Sequence, residues 1–251
     1  MDEGFESGRE FLKDTVRQRV DFSRTAQRRG LPAPPLQKPC APDAPRVVLP
    51  GRPEAQAALG SMSVGAAIAA RESRRRYSPA PVTLLELSAL LWATQGVRDV
   101  PRAHYALRTV PSAGARHAFE TYLVVSRVES LKPGLYRYLP FDGELALLAP
   151  DPDIGSKAAA ACLDQRFVAA AAVTFFWTAI PERMEWRYGT ASYKVIALDA
   201  GHVCQNLYLA CESIGAGTCA IAAYNQDRCD ALLGVDGVEE FTVYAAPVGK
   251  L

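Results

Sequence analysis

Arg71, Ser73, Arg74, Arg75 and Arg76, in the run RESRRRY, gather guanidinium groups and a hydroxyl within one or two turns of chain. Such a set can give bidentate hydrogen bonds to a doubly charged phosphate ester, through a planar fork that lysine does not offer. The same composition also makes an ordinary solvated basic turn, and the run alone leaves both readings open. A second candidate is TVPSAGARH, residues 109–117. Pro111 fixes its own φ, and Ser112, Ala113 and Gly114 have small or absent side chains, so backbone amides here can approach a flat aromatic ligand closely. Pro-Ser-x-Gly is also common turn chemistry. The three histidines, His104, His117 and His202, are scattered, and the six cysteines form no C-x-x-C pair, so no metal site is expected. His202 falls inside a predicted helix, where a buried, hydrogen-bonded imidazole is expected; His117 follows the small-residue loop and is expected to face the cleft. Cys204 and Cys211 lie on the same predicted helix and are read as small core side chains in place of a redox pair.

These groups need a frame to position them. With 251 residues, 49% of them hydrophobic, the chain can build one large α/β or α+β domain or two small ones. Its 28 basic and 27 acidic side chains leave a net charge of +1, so no global field draws it to nucleic acid or to an acidic membrane. The first residues lack the apolar core of a secretory signal, and no apolar run nears the roughly 20 residues that span a bilayer, so a cytoplasmic protein is expected. Residues 1–31 read as a basic amphipathic arm whose acids interleave with its cations, as on a solvated helix face. Residues 32–60 follow as a linker, and eight prolines in 32–53 forbid a continuous helix or central strand there. The main domain is expected over 61–251. Within it, Ser63 is a candidate N-cap for a short helix, and Thr83 with Glu86 has capping-box spacing before a helix over about 84–94 that Gly96 stops. Strands are expected over 119–126 and 241–249, a hairpin over 134–148 around Asp142-Gly143, and a strand buried on both faces over 170–180. A long helix should fill about 191–213 before Gly215. Strands and helices alternate without a dinucleotide fingerprint, which favours an α+β sheet with helices packed on it over a doubly wound fold.

Taken together and in this order, the segments resemble the nitroreductase superfamily, nearest to its SagB-type, thiazole- and oxazole-forming dehydrogenase branch. RESRRRY resembles the superfamily's phosphate motif Arg-x-Ser-x-Arg followed by an aromatic. TVPSAGARHAFETYLVV looks like the branch's flavin-ring loop and strand, GLYRYLPFDGELALL its hairpin, and WRYGTASYKVIALDAGHVCQNLYLACESIGAG its most characteristic stretch. The resemblance covers about residues 61–250. It implies an α+β fold with a central mixed or antiparallel sheet flanked by helices, an interlocked homodimer, and an FMN in each of two clefts between the subunits. By the same resemblance, Arg71, Ser73 and Arg75 would hold the FMN phosphate and ribityl chain, and Lys250 would add a second phosphate contact. Pro111, Ser112, Ala113 and Gly114 of the partner subunit would touch the isoalloxazine, and the backbone at Ala222 and Ala223 would present an amide to its N5 edge. Alanines stand there where many classical nitroreductases carry Glu-Gly. Arg116 is expected to stabilise charge near N1.

Arg187, Tyr188 and Tyr193 are the candidate catalytic residues. Arg187-Tyr188 stands where the azoline-oxidising members of the branch have Lys-Tyr; arginine binds anions but is no base near neutral pH, its pKa exceeding about 12. Tyr188 can donate or accept a proton, and Tyr193 or Trp186 can stack on a substrate; alternatively all three pack the cleft wall. The expected function is ping-pong hydride transfer between NAD(P)H or an organic substrate and an acceptor, the flavin carrying the hard step. Two alternatives stand beside it: a tailoring enzyme that oxidises a peptide-derived or other natural-product intermediate, and a flavin-binding protein without catalysis.

Overall fold

Residues 3–60 and 62–251 are described by the computed structural model. The first two residues of the arm, and Ser61 at the expected start of the main domain, lie outside the described residues. The arm forms α1 (Glu3–Leu12) and α2 (Thr15–Arg19), with the interleaved pairs Lys13–Glu10 and Arg17–Asp14 on their solvent side. A short strand, β1 (Arg46–Val48), and α3 (Arg52–Ala58) follow, then α4 (Val64–Ala70), on whose N-cap Ser63 accepts from the Ala66 amide. In α5 (Leu84–Gln95) both halves of the Thr83–Glu86 capping box are made. Gly96 ends that helix without a left-handed turn: a Cβ there would meet the Trp92 carbonyl at 2.5 Å.

Beyond α5 come a two-stranded ribbon, β2 (Val97–Arg102) and β3 (Tyr105–Arg108), then β4 (Phe119–Val125), the hairpin β5 (Gly134–Leu139) and β6 (Glu144–Pro150), and the helices α6 (Ile154–Ala161) and α7 (Arg166–Ala169). The chain finishes with β7 (Val173–Ala179), α8 (Glu182–Tyr188), α9 (Ser192–Ser213), β8 (Ala216–Thr218), α10 (Gln226–Leu233) and β9 (Phe241–Lys250). Seven strands form one sheet in the order β1-β6-β5-β4-β7-β9-β8, antiparallel at each pairing. Every residue of β4 and β7 is buried, because alternate side chains enter two separate cores. Phe119, Leu123, Phe175 and Trp177 join the core under α5 and α9; Tyr122, Val124 and Phe176 join the one under α6 and α10. Cys204 and Cys211 are unpaired and buried in the first of these. No helix among the described residues is long and apolar enough to cross a membrane.

The proline-rich segment does more than connect. Its strand β1 pairs with β6 at the sheet edge, the position that flanking prolines permit. Residues 31–39 lie as a strap whose carbonyls accept from buried side chains: Leu31 from the Trp186 indole (2.9 Å), Pro34 from Arg116 (3.4 Å), Leu36 from Arg108 (3.1 Å), and Lys38 and Pro39 from Arg137 (3.2 and 2.8 Å). Prolines contribute carbonyls without N–H groups, so the strap has acceptors in surplus, and guanidinium groups supply the donors. Acids complete the contact. Glu120 accepts from the Lys38 amide (2.8 Å) and pairs with Arg183 at 2.5 Å, both side chains being at most 2% exposed, while Glu240 pairs with Lys38 and accepts from Tyr122 and Thr178.

Removing one member of a buried ion pair strands the other charge, at a cost of about 3–5 kcal/mol. Glu120→Gln should lower stability by about that much in urea denaturation, whereas Glu120→Leu combined with Arg183→Met should recover most of the loss. A single variant no worse than the double would show that the pair does not hold the strap.

Candidate functional site

The arginine run leaves α4 as an extended segment pinned to β8. Ser73 bridges Thr218 and the Arg74 amide donates to the Thr218 carbonyl (2.9 Å). Two glycines allow the approach: a Cβ on Gly217 would meet the Arg74 side chain at 2.7 Å, and one on Gly249 would meet the Tyr77 ring at 2.5 Å. The cations of the run have different fates. Arg74 is paired with Glu72 (2.8 Å) and Glu212 (3.5 Å). Arg71 lies over the Tyr208 ring at 5.5 Å and Arg75 over the Phe167 ring at 5.8 Å, and neither has a carboxylate partner among the described residues. Tyr208 organises them: its hydroxyl is 3.0 Å from the Ser73 hydroxyl and accepts from the Ala220 amide at 2.8 Å. Lys250 does not join this cluster. Its ammonium donates to Glu86 (2.7 Å) and to the Ile214 carbonyl (2.5 Å), so a phosphate would have to displace an ion pair to reach it.

From Tyr208 the chain 219–223 runs to an apolar cavity of about 380 Å³, lined by Tyr193, Ile196, Ala200, Ala222, Phe241 and Tyr244 among others. Ala222 and Ala223 are exposed, and neither amide donates to another group among the described residues. Arginine cluster and cavity lie on one flank of α9, about 10–17 Å apart along its axis at 1.5 Å per residue between Tyr208 and the wall residues Gly201 and Ala197.

The loop 111–114 lies elsewhere. The Ala113 amide donates to Asp199 Oδ2 (3.2 Å), and Asp199 is roughly 160° round α9 from the wall residues Ala197 and Gly201 at 3.6 residues per turn. In one chain, then, the loop and the cavity occupy opposite flanks of the same helix. Burial raises the Asp199 carboxyl pKa, against which hydrogen bonds from Ser112 and Ala113 pull. Gly114 is left-handed (φ +60°), and a Cβ on it would meet the Tyr188 hydroxyl at 2.6 Å and Arg187 at 3.0 Å, so the end of α8 and the loop form one surface. Ala115 (φ +53°) and His117 (φ +50°) are strained as well, at an order of 1–3 kcal/mol each. The turn persists because the Ser112 hydroxyl accepts from the His117 amide (3.0 Å) and the Ser112 carbonyl from the Ala115 amide (2.9 Å).

Three sequence-based placements change. Arg116 is fully buried: it donates to the carbonyls of Arg183 (2.8 Å), His104 and Pro34, and stacks on Trp186 at 4.8 Å. A guanidinium enclosed by its own chain and spent on its carbonyls presents no free edge to a ligand, contrary to the role expected of Arg116. His117 is buried against the Ala106 carbonyl (3.0 Å) and faces no cleft, whereas His202 is half exposed on α9, 3.8 Å from Asp199. Tyr193 stands at the cavity with its hydroxyl donated to Glu185 (2.8 Å), which raises its pKa. Tyr208 and Asp199 carry the geometry yet went unnamed as site residues, since a tyrosine and an aspartate on an amphipathic helix look like its polar edge. Their spacing of nine along α9 was the available signal.

Residues 68–250 match the family model described as the Nitroreductase family. A relative from Methanocaldococcus jannaschii that carries a nitroreductase name is 34% identical over 180 residues, 72% of this chain and 87% of that protein. Among solved structures, a nitroreductase-named chain from Anabaena variabilis superposes with a TM-score of 0.66 at 25% identity; 83% of this chain is covered, but it spans only 42% of that longer chain. An NADPH:FMN oxidoreductase from Vibrio harveyi shares the fold, with a TM-score of 0.52 at 17% identity over 73% of this chain and 66% of that one.

Burial, and next the Arg108 cation, push the His117 pKa from its ordinary 6.5 down to about 3. Folding therefore demands the neutral imidazole. The unfolded chain takes up a proton below about pH 6.5 that the folded chain refuses until about pH 3, so this stability is lost as pH falls through that window. Between pH 7 and pH 5 wild type should lose about 2 kcal/mol more than His117→Gln in urea denaturation. Parallel losses in the two proteins would refute the assignment.

Proposed function

The chain belongs to the nitroreductase family, and we propose that it is a flavin oxidoreductase passing hydride, by a ping-pong route, from a nicotinamide or organic donor to a second molecule. Its cofactor is FMN. The observation that carries the reading is the pair of cations Arg71 and Arg75, without carboxylate partners among the described residues and flanking Ser73, which lead along one flank of α9 to an apolar cavity lined in part by Ala222. A phosphate, a polyol chain and a flat ring are what such a sequence of environments suits.

FMN supplies, when bound, a ring that takes up a hydride and gives it up again. The chain's own residues have narrower tasks. Arg71, Ser73 and Arg75 would clamp the phosphate, with Tyr208 fixing the first two against the loop 219–223. The amides at Ala222 and Ala223 would donate to the ring's edge, and the apolar cavity would keep water from it. Because Pro111–Gly114 sits on the other flank of α9, the loop that edges a given ring would come from a second copy, docked on the exposed stripe of Ala197, Leu198, Gly201 and Gln205. Tyr193 would stack at the cavity mouth, and the Tyr188 hydroxyl would hold or move a proton at the bound substrate. Arg187 cannot act as a base there, which favours a reductase or dehydrogenase of small organic molecules over peptide azoline oxidation.

Anaerobic titration with NADPH tests the reading. The visible flavin band of the FMN-loaded protein should bleach stoichiometrically and return with an added quinone or nitroaromatic; a folded protein that is colourless and refuses FMN would end it. Tyr208→Phe should weaken FMN binding about three- to tenfold, the loss of one hydrogen bond, while riboflavin, which lacks the phosphate, binds as before. Equal losses for both ligands would instead make Tyr208 a general packing residue.

A further inference from the structure

Arg187 ends α8 half-buried, yet it makes no hydrogen bond and no ion pair among the described residues. Its Cδ and Nε occupy the space that a Cβ on Gly114 would enter, at 3.0 Å, and its guanidinium carbon lies 5.6 Å from the centre of the Tyr188 ring. Three carboxylates on α8, β4 and α9 are bonded to other groups: Glu185 to the Tyr193 hydroxyl, Glu120 to Arg183, and Asp199 to the Ala113 amide. Its other charged neighbours are cations. Arg116 is pushed down to about 10 by burial and then by Arg183 and Arg187; Glu120 answers only Arg183, so Arg116 and Arg187 still add to one positive field. A side chain held against a strained loop, over an aromatic face and in an uncompensated positive field, differs from a solvated surface arginine, which is free to swing toward water.

We propose that Arg187 and the Tyr188 ring form a recognition site for a planar aromatic carboxylate, which makes aromatic acids the preferred small-molecule class of this protein. The guanidinium fork matches a carboxylate in two parallel hydrogen bonds, and the tyrosine face gives the attached ring an apolar floor. Gly114 leaves the space in which both lie flat, since a side chain there would strike both residues. That the bound acid is a substrate rests on the flavin reading above; that it binds does not.

Calorimetric titration of the FMN-loaded full chain with benzoate, and with its neutral isostere benzamide, tests the site. Benzoate should bind at least tenfold more tightly. In R187Q that preference should vanish with benzamide affinity unchanged, and R187K, which keeps the charge without the fork, should fall between. Retained FMN and an unchanged melting temperature show that the variants fold. Equal affinity for the two probes in wild type, no detectable binding of either, or a preference that survives R187Q would each overturn the proposal. Should the protein take up no FMN, the same titration on the flavin-free chain decides: a preference that depends on Arg187 keeps the anion site and removes only its reading as a substrate site.

Discussion

A proline-rich strap has carbonyls to spare, and buried arginines have donors to spare; the far half of this fold depends on bringing the two together. Arg108, Arg116 and Arg137 each donate to a strap carbonyl, and the fourth, Arg183, holds the acid that accepts from the strap's Lys38 amide. The match is incomplete, for the Nε atoms of Arg108 and Arg137 are buried without a partner among the described residues. Desolvation also works against it, pushing Arg108 and Arg116 down to about 10. A purely apolar cover over this end of the sheet would be cheaper to build. The polar one has a different property: it fixes the direction and register of a segment that has few side chains able to do so.

The strap thereby bears on the candidate site, because the elements it clamps are those that hold the loop 111–114. Arg116 and His117 end that loop, and Trp186 precedes Arg187 and Tyr188 on α8; Arg116 and Trp186 are tied to the strap and to each other, and His117 to the Ala106 carbonyl of β3. Strain at Ala115 and His117 persists only where the surroundings over-determine the backbone, and here they do. On the other side, α9 works as a ruler. Tyr208 and Asp199 face different flanks, so a single helix separates the arginine cluster from the loop 111–114 and leaves the exposed residues Ala197, Leu198, Gly201 and Gln205 between them.

Much of the frame was legible from residues alone. Thr83 and Glu86 marked a helix start whose two hydrogen bonds are both made, 119–126 read as a strand, the continuous apolar run of β7 announced a strand buried on both faces, and α9 read correctly from its stripe. The ribbon β2–β3 was missed, since VRDVPR carries a proline and almost wholly exposed residues where a strand signal would alternate. The strap was read as linker for a sound reason, the absence of N–H donors, but a residue without a donor still has an acceptor. His202 followed the same logic in reverse: inside a helix is not inside the core, and its position on α9 turns it to solvent.

The arginines show what composition cannot separate. Arg71, Arg74, Arg75, Arg116 and Arg187 are chemically identical, and all but Arg74 were candidate site residues by position and resemblance. What divides them is partner accounting. Arg74 is neutralised by two acids and Arg116 is spent on carbonyls, so each has a complete structural explanation. Arg71, Arg75 and Arg187 do not: each rests over an aromatic ring, held in place by packing, with its hydrogen-bonding edge uncommitted or nearly so. A cation positioned by stacking alone keeps its donors for something outside the chain, which is why these three, of the five, are the ones to which we assign the proposed anion binding.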